Sequence, residues 1–454
     1  MFKKDFIWGA ASAAYQIEGG AFEDGKGLSV WDVFSHQPGN VFWNHNGDVA
    51  CDHYHKYKED IALFKKLGIK NYRFSVSWPR IIPNGIGEIN PKGIEFYNNL
   101  IDELLANGIT PYMTLFHWDT PKALDNMGGW RNPAISDYFE EYARVIAENF
   151  GDRVKYFMTL NEPQSFMHGY RERTGMPPTA GFPICEMVPT IHNVLMAHGK
   201  AAKVLRELVP DAKIGLAPCG NYFYPLDENN PSDIEAARQL TMGICQNTDD
   251  LHWNISWYSD PIYLGSYPAE QLEVYGKYLP DGWQEDLKII NQPLDFCGQN
   301  VYGGYPATMD ENGKPKKVEL PAGWTRLGNP VGTPVTPKSL KWATIFLYER
   351  YKLPILVCEN GMACTDTVSV DGKVHDPQRI DYLHRYIKGI KEATEMGVDI
   401  MGYFVWSVMD VFEWSKGYTM RLGLIYVNYE TLERIPKDSA YWYKELMETN
   451  AENL

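Results

Sequence analysis

Hydrophobic positions recur along the chain in two alternating patterns, one with helical spacing and one of short continuous runs. In residues 57–67 the apolar side chains lie mostly three or four positions apart, and the pattern stops at Gly68, which is typical of a helix that ends at a glycine. A short apolar run, 71–78, follows at once, and the same order leads to a second run at 110–118. The chain is therefore predicted to repeat a unit of one helix and one strand.

Eight candidate strands can be placed in this way, and most are apolar on both faces, as expected for parallel strands covered by helices. They are 6–12, 71–78, 110–118, 155–161, 213–219, 295–302, 354–359 and 400–407. Eight strands with intervening helices predict an α/β fold, a closed (β/α)₈ TIM barrel. Because no low-complexity linker divides the chain, residues 1–454 are expected to form a single domain. Residues 222–294 depart from the pattern and are expected to be an excursion with a short helix near 233–245.

Charge, apolar runs and cysteines indicate which kinds of partner to exclude and where in the cell the protein is expected. The formal net charge is −15 and no cluster of Lys and Arg could neutralise a phosphate backbone, so no nucleic-acid partner is expected. No apolar run approaches the roughly 18 residues of a membrane span, so no membrane partner is expected either. Asp5, Gln16 and Glu18 interrupt the only stretch that resembles a secretion signal. Seven scattered cysteines without a Cys-x-x-Cys motif favour reduced thiols and a cytoplasmic protein.

The predicted strand ends carry an unusual set of side chains. In barrels of this kind the active site is built from the C-terminal ends of the strands and the loops that follow them. Those positions hold carboxylates, amides and flat aromatic rings: Gln16, Arg73, His117, Trp118, Asn161, Glu162, Asn300, Tyr302, Glu359, Trp406, Glu413 and Trp414. The rim lacks a Gly-rich phosphate loop, and the chain lacks the His-Glu-x-x-His spacing, so neither a cofactor nor a catalytic metal is predicted. The mixture suits a neutral, polyhydroxylated ligand whose C–H faces can stack on tryptophan.

Two glutamates on this rim indicate a reaction. Glu162 and Glu359 each follow an apolar strand, so each side chain is expected to emerge onto the mouth of the barrel. Glycoside hydrolysis requires two carboxyl groups that flank the glycosidic bond, one protonated and one ionised. The alternative is that each glutamate only pairs with a neighbouring Lys or Arg. Two such junctions on one rim favour the catalytic interpretation.

These residues stand in motifs that resemble a known family. The motifs, in order, are Tyr15-Gln16-Ile17-Glu18-Gly19, Tyr72-Arg73-Phe74-Ser75, His117-Trp118-Asp119, Asn161-Glu162-Pro163, Glu359-Asn360-Gly361 and Glu413-Trp414. Any one of them is weak evidence, but six in register over essentially the whole chain resemble the family 1 β-glycosidases. The resemblance implies a retaining β-glucosidase that acts on small β-glucosides or oligosaccharides, as in cellulose degradation, through a covalent glycosyl-enzyme intermediate.

The resemblance also implies roles for individual residues. Glu162 would be the acid/base and Glu359 the nucleophile, with Arg73 and Tyr302 holding the Glu359 carboxylate. The sugar would be bound by residues of the rim, namely Gln16, His117, Trp118, Asn161, Asn300, Tyr302, Trp406, Glu413 and Trp414. Trp324 would form the aromatic wall on the leaving-group side.

Several alternatives stay open at this point. The same site would serve a β-galactosidase or a transglycosylase, and a carbohydrate-binding barrel without catalysis belongs to a different class. Members specific for 6-phosphosugars are disfavoured because Glu413 would repel a phosphate. Cys358 replaces the Thr that is common before the nucleophile, and residues 170–185 lack the usual His-Ala-Pro-Gly loop, which bears on leaving-group preference. Both a monomer and a homo-oligomer are compatible with the sequence.

Overall fold

The computed structural model describes residues 2–243, 251–321 and 334–454, and this part of the chain contains a barrel of eight parallel strands. The barrel strands are β1 (Ile7–Ala11), β2 (Asn71–Ser75), β3 (Thr110–Phe116), β4 (Tyr156–Asn161), β5 (Lys213–Ala217), β6 (Cys297–Asn300), β7 (Ile355–Asn360) and β8 (Ile400–Trp406). Their order in the sheet is β5-β4-β3-β2-β1-β8-β7-β6, and every ladder is parallel. The predicted (β/α)₈ barrel is confirmed, with each strand at the predicted place in the chain.

The barrel closes between β5 and β6, the two ends of this order. The backbone N–H of Asp295 donates to the carbonyl of Ile214 at 2.9 Å. A Cβ at Gly298 would lie 2.1 Å from the carbonyl oxygen of Leu216, so only glycine lets the two strands approach this closely. Gly298 therefore permits the closure.

Helices cover the outside of the barrel in the order that the sequence pattern predicts. The helix predicted at 57–67 is observed as His53–Lys66, and Asn90 caps Pro91–Ala106 by accepting a hydrogen bond from the backbone N–H of Lys92. The other helices are Ala14–Ile17, Val30–Ser35, Trp78–Ile81, Lys122–Asn126, Ile135–Phe150, Pro163–Arg171, Ile184–Leu208, Pro231–Met242, Ile255–Tyr263, Ala269–Tyr275, Trp283–Ile290, Lys338–Tyr351, Pro377–Glu395 and Asp438–Glu448. None of the helices within the described ranges is both long enough and apolar enough to cross a bilayer.

The segment 222–294 is more regular than the sequence pattern suggests. The helix expected near 233–245 is observed as Pro231–Met242. Three further helices, which were not predicted, follow between Ile255 and Ile290. One of the missed helices contains Pro261, and the others are only seven and eight residues long, so none shows a sustained helical period. Small sheets outside the barrel are formed by Phe223–Pro225, Tyr305–Met309 and Pro315–Lys317, and by Ile425–Val427 and Arg434–Pro436.

Side chains fill the barrel interior. The rings of Tyr112 on β3 and Phe404 on β8 have centroids 4.9 Å apart although the two strands are not neighbours in the sheet, so these rings meet across the interior. Arg73 on β2 likewise reaches Glu359 on β7. The interior is thus a packed core, as expected for a barrel whose site lies on its rim.

Candidate active site

The rim residues that the sequence singles out come together at one end of the barrel, with one exception. Most of their side chains are linked by hydrogen bonds or ring contacts into one cluster. Gln16 and Glu413 bond to each other, and Glu413 is close enough to Glu359 for their charges to interact. Trp324 lies outside the described residues, and its role stays a prediction.

Glu359 is held at the centre of this cluster. Arg73 Nη1 donates to Glu359 Oε1 at 2.7 Å, and the Tyr302 hydroxyl donates to Oε2 at 2.7 Å. Arg73 is itself fixed, because Nε donates to the hydroxyl of Thr114 at 3.0 Å and Nη2 donates to Asn161 Oδ1 at 2.6 Å. Both carboxylate oxygens are thus occupied by donors that favour the ionised form and fix its orientation.

Glu162 has a different environment. Asn300 Nδ2 donates to Glu162 Oε1 at 2.9 Å, and the hydroxyl of Ser165 donates to Oε2 at 2.6 Å. No cation bonds to it directly in the described structure, although Arg73 is close enough to act through its charge. Asn300 Nδ2 also donates to Asn161 Oδ1 at 3.1 Å, the oxygen that accepts from Arg73, so the amide of Asn161 links the surroundings of the two carboxyl groups.

The two carboxyl groups differ in their tendency to hold a proton. Burial, followed by the negative charge of Glu359, raises the pKa of Glu162 to about 7. Burial also raises the pKa of Glu359, but the charge of Arg73 and the hydrogen bond from Tyr302 oppose that rise. The pair therefore titrates with one proton preferentially on Glu162, which is the arrangement that an acid and a nucleophile require.

Several buried polar atoms on the rim have no partner among the described residues, as expected for groups that bind a ligand. Gln16 Nε2 donates to Glu413 Oε2 at 3.2 Å, whereas the other end of the same amide, Oε1, has no partner. Asn161 Nδ2 donates to His117 Nε2 at 3.0 Å, because Asn161 Oδ1 is occupied as an acceptor. The proton of His117 is then on Nδ1, which is also unpaired. An acceptor and a donor are thus available for sugar hydroxyls.

Aromatic rings form the walls of the same pocket. The ring of Trp406 is stacked with that of His117 at a centroid distance of 5.6 Å. Trp118 packs against Trp414 at 4.6 Å, and its Nε1 donates to the backbone carbonyl of Asn161 at 3.0 Å. These rings offer flat apolar faces beside the polar groups, which is what the C–H faces of a sugar need.

Three rim residues have a left-handed backbone although none is glycine. The φ angles are 44° at Glu162, 76° at Trp118 and 46° at Trp414. Such conformations cost of order 1–3 kcal/mol each and persist only where the surroundings impose them. At Glu162 this turn separates β4 from the helix Pro163–Arg171.

Sequence reasoning missed two polar residues of the site. Thr114 lies inside β3 and fixes Arg73, and Ser165 lies on the helix after Glu162. Alternation along β3 could have placed Thr114 on the same face as inward residues, but Ser165 carries no sequence signal because the turn at Glu162 determines where its hydroxyl points. Ser165 is also in contact with the thiol of Cys219 at 3.4 Å.

The hydroxyl of Ser165 is expected to influence the proton affinity of Glu162. A hydrogen bond to the carboxylate favours the charged form, so Ser165→Ala should raise the pKa of Glu162. The alkaline limb of the kcat/KM profile should then move to higher pH by about 0.5–1 pH unit. Ser165→Thr keeps the hydroxyl and should retain the parent profile. An alanine variant with an unchanged limb would show that the hydroxyl has no such effect.

The rim of this parallel barrel carries two glutamates, each held by its own hydrogen-bond donors, together with unpaired polar groups and tryptophan rings. Such a site defines a carbohydrate-active hydrolase. Comparison with known proteins gives the family, because the model of Glycosyl hydrolase family 1 matches residues 1–452. The chain belongs to this family.

Similar proteins support the same assignment over the whole length. The beta-glucosidase A of Thermotoga maritima is 44% identical over 458 residues, which cover 99% of this chain and 98% of that protein. A 1,4-beta-D-glucan glucohydrolase of Thermotoga neapolitana is 44% identical over 453 residues, with 99% and 98% covered. The solved structure of the beta-glucosidase from Thermotoga maritima in complex with glucoimidazole matches with a TM-score of 0.89 and 44% identity, over 99% of both chains.

Proposed function

We propose that this chain is a retaining β-glucosidase that hydrolyses terminal β-glucosyl residues of small glucosides and oligosaccharides, with Glu359 as nucleophile and Glu162 as acid/base. The observation that carries the assignment of roles is the contrast between the two carboxyl groups. Glu359 is fixed by Arg73 and Tyr302, whereas Glu162 lacks a direct cationic partner among the described residues and has a pKa raised to about 7. The names of the similar proteins support glucose as the preferred sugar.

In the first step Glu359 attacks the anomeric carbon while Glu162 gives its proton to the leaving oxygen. The bond from the anomeric carbon to that oxygen breaks, and an ester to Glu359 forms. Arg73 and Tyr302 hold the carboxylate in the attacking orientation. Asn300 donates to both Glu162 and Asn161, and Asn161 accepts from Arg73, so a chain of hydrogen bonds fixes the position of one carboxyl group relative to the other.

In the second step the negative charge of Glu359 is absent because the residue is esterified. One of the two main causes of the raised pKa of Glu162 is thereby removed, so the pKa of Glu162 falls and its ionised form becomes accessible. It can then accept a proton from water as the water attacks the anomeric carbon and releases Glu359. The same residue serves as acid and then as base.

The sugar is proposed to lie between the polar and aromatic parts of the rim. Gln16 Oε1 and His117 Nδ1, which lack partners among the described residues, would bind hydroxyls. Glu413 would bind a hydroxyl through its carboxyl group, and Trp406 would stack on a C–H face. Burial, followed by the charge of Glu359, raises the pKa of Glu413 to about 8. The carboxyl group of Glu413 is therefore neutral at pH 7 and can both donate a hydrogen bond to a sugar hydroxyl and accept one from it. It offers no positive charge to bind a phosphate, which favours unphosphorylated glucosides.

The proposal also covers domain organisation, location and the source of the substrate. Residues 1–454 are proposed to act as one catalytic domain, because the barrel uses strands from both ends of the chain. A cytoplasmic location is supported by the six cysteines of the described residues, all of which are free thiols. Oligosaccharides released during cellulose breakdown are proposed as substrates, since one similar protein is named a glucan glucohydrolase.

Stereochemistry tests the proposed mechanism directly. Two displacements at the anomeric carbon restore its configuration, so hydrolysis of an aryl β-glucoside should release β-glucose first. Proton NMR during the first minutes should show the β anomer before mutarotation produces the α anomer. Early appearance of the α anomer would indicate a single displacement and overturn the role of Glu359.

A further inference from the structure

Three side chains outside the catalytic machinery lie close together in a way that the reaction does not require. They are His168, Glu172 and His252, and one ligand atom from each lies within 4.8 Å of the other two. His168 Nδ1 and His252 Nε2 are 2.8 Å apart, which is the distance of a hydrogen bond. Two ring nitrogens that face each other in this way share a single proton, and a metal ion can replace that proton.

The cluster joins two separate parts of the chain. His168 lies on the helix Pro163–Arg171, and Glu172 is its C-terminal capping residue. Residues four apart lie on the same side of a helix, so both side chains are available to one ion. His252 comes from the segment that precedes the helix Ile255–Tyr263. An ion bound here would connect the helix that follows Glu162 to that second segment.

Charges of both signs lie beside the cluster. Arg171 is close enough to His252 to act on it through its charge, and Glu172 acts on His168 in the same way. Arg171 would repel a bound cation, and the negative charge of Glu172 offsets part of that repulsion.

The ring of Trp253 covers one side of the cluster. The ring of Trp253 lies 5.8 Å from that of His168 and 5.0 Å from that of His252, measured between centroids. Both histidines are partly buried, whereas Glu172 is exposed. The site is therefore closed on the tryptophan side and open to solvent on the glutamate side, where an ion could enter and a water could complete the coordination.

We propose that His168, His252 and Glu172 form a binding site for a zinc-class divalent cation, with water as the fourth ligand. Two imidazoles and one carboxylate are a known set of zinc ligands, whereas Mg²⁺ and Ca²⁺ prefer oxygen ligands alone. Zinc–nitrogen bonds of about 2.0–2.1 Å in a tetrahedral site place the two nitrogens roughly 3.3 Å apart. The histidine pair thus has to open by about half an ångström, which side-chain rotation can supply.

Cobalt binding provides the test, since Co²⁺ replaces Zn²⁺ in such sites and has visible absorption bands that report its ligands. The full chain, freed of metal with a chelator, should bind one equivalent of Co²⁺ with a micromolar or lower Kd, and Zn²⁺ should displace it. Saturation with Zn²⁺ at about 100 Kd should raise the thermal unfolding midpoint by roughly 2–4 °C. None of these measurements depends on glucosidase activity, so a failed mechanism would not affect them.

Variants identify the ligands. His252→Ala and Glu172→Gln should each weaken Co²⁺ binding by at least about 10-fold, as expected from loss of one metal ligand. Glu172 is exposed, so its substitution tests the site even if a histidine variant fails to fold. His384→Ala, on the helix Pro377–Glu395 beside Trp442, is the control and should bind like the parent. Absence of binding at millimolar Co²⁺, or equal binding by Glu172→Gln and the parent, would overturn the proposal.

Discussion

Glu359→Ala is expected to lower kcat by about 10⁴-fold or more, because it removes the only group proposed to form the covalent intermediate. The loss should be similar for activated and unactivated glucosides, since both need the nucleophile. The loss of kcat is measured from steady-state rates of the variant and the parent on an aryl β-glucoside and on a β-linked disaccharide.

The matched control is Glu359→Gln, which keeps the volume of the side chain and an acceptor for the Tyr302 hydroxyl. It should be as inactive as the alanine variant, because an amide cannot serve as the nucleophile. Circular dichroism of both variants should match the parent. Substantial activity in the glutamine variant would show that another group attacks the sugar.

Glu162→Ala is expected to have an effect that depends on the leaving group. Without proton donation, a disaccharide should be cleaved about 10²–10⁴-fold more slowly. A dinitrophenyl glucoside needs little protonation, so it should still form the intermediate, and a fast burst of phenol should precede slow turnover. Pre-steady-state absorbance measures both phases. Equal losses for the two substrates would argue against proton donation by this residue.

The pH profile separates Glu162 from a second buried carboxyl group. Glu162 must be protonated at the start, so kcat/KM should fall as the pH rises through its pKa of about 7. The pKa of Glu413 is raised to about 8, so its ionisation falls in a neighbouring range. Glu162→Gln should remove the alkaline limb for the dinitrophenyl glucoside. A limb that persists would assign the titration to Glu413.

The positions of the rim residues could be predicted from sequence because parallel strands impose them. Glu162 and Glu359 each follow an apolar run, and the C-terminal ends of parallel strands must meet at one end of a barrel. The family resemblance, and not the strand pattern, implied that Arg73 and Tyr302 hold the Glu359 carboxylate. The structure brings both donors to Glu359 as that resemblance implies.

Features that depend on tertiary contacts could not be predicted. The hydroxyl of Ser165 bonds Glu162, three residues earlier, across a left-handed turn that persists only where the surrounding segments impose it. His168 and His252 are 84 residues apart and lie together only after folding. The helix around Pro261 has no clear period because it is short and buried. In each case the information lies in packing between segments and not in the local sequence.

Azide rescue tests the assignment of the two glutamates most directly, because these residues are proposed to act on opposite faces of the anomeric carbon. In Glu162→Ala the intermediate on Glu359 still forms, so azide should attack it and give β-glucosyl azide. In Glu359→Ala azide can enter only from the face that the nucleophile has left, which should give α-glucosyl azide. NMR determines the anomeric configuration of the glucosyl azide formed by each variant. Products of opposite configuration are the predicted result, and products of the same configuration from both variants would contradict the assignment of nucleophile and acid/base.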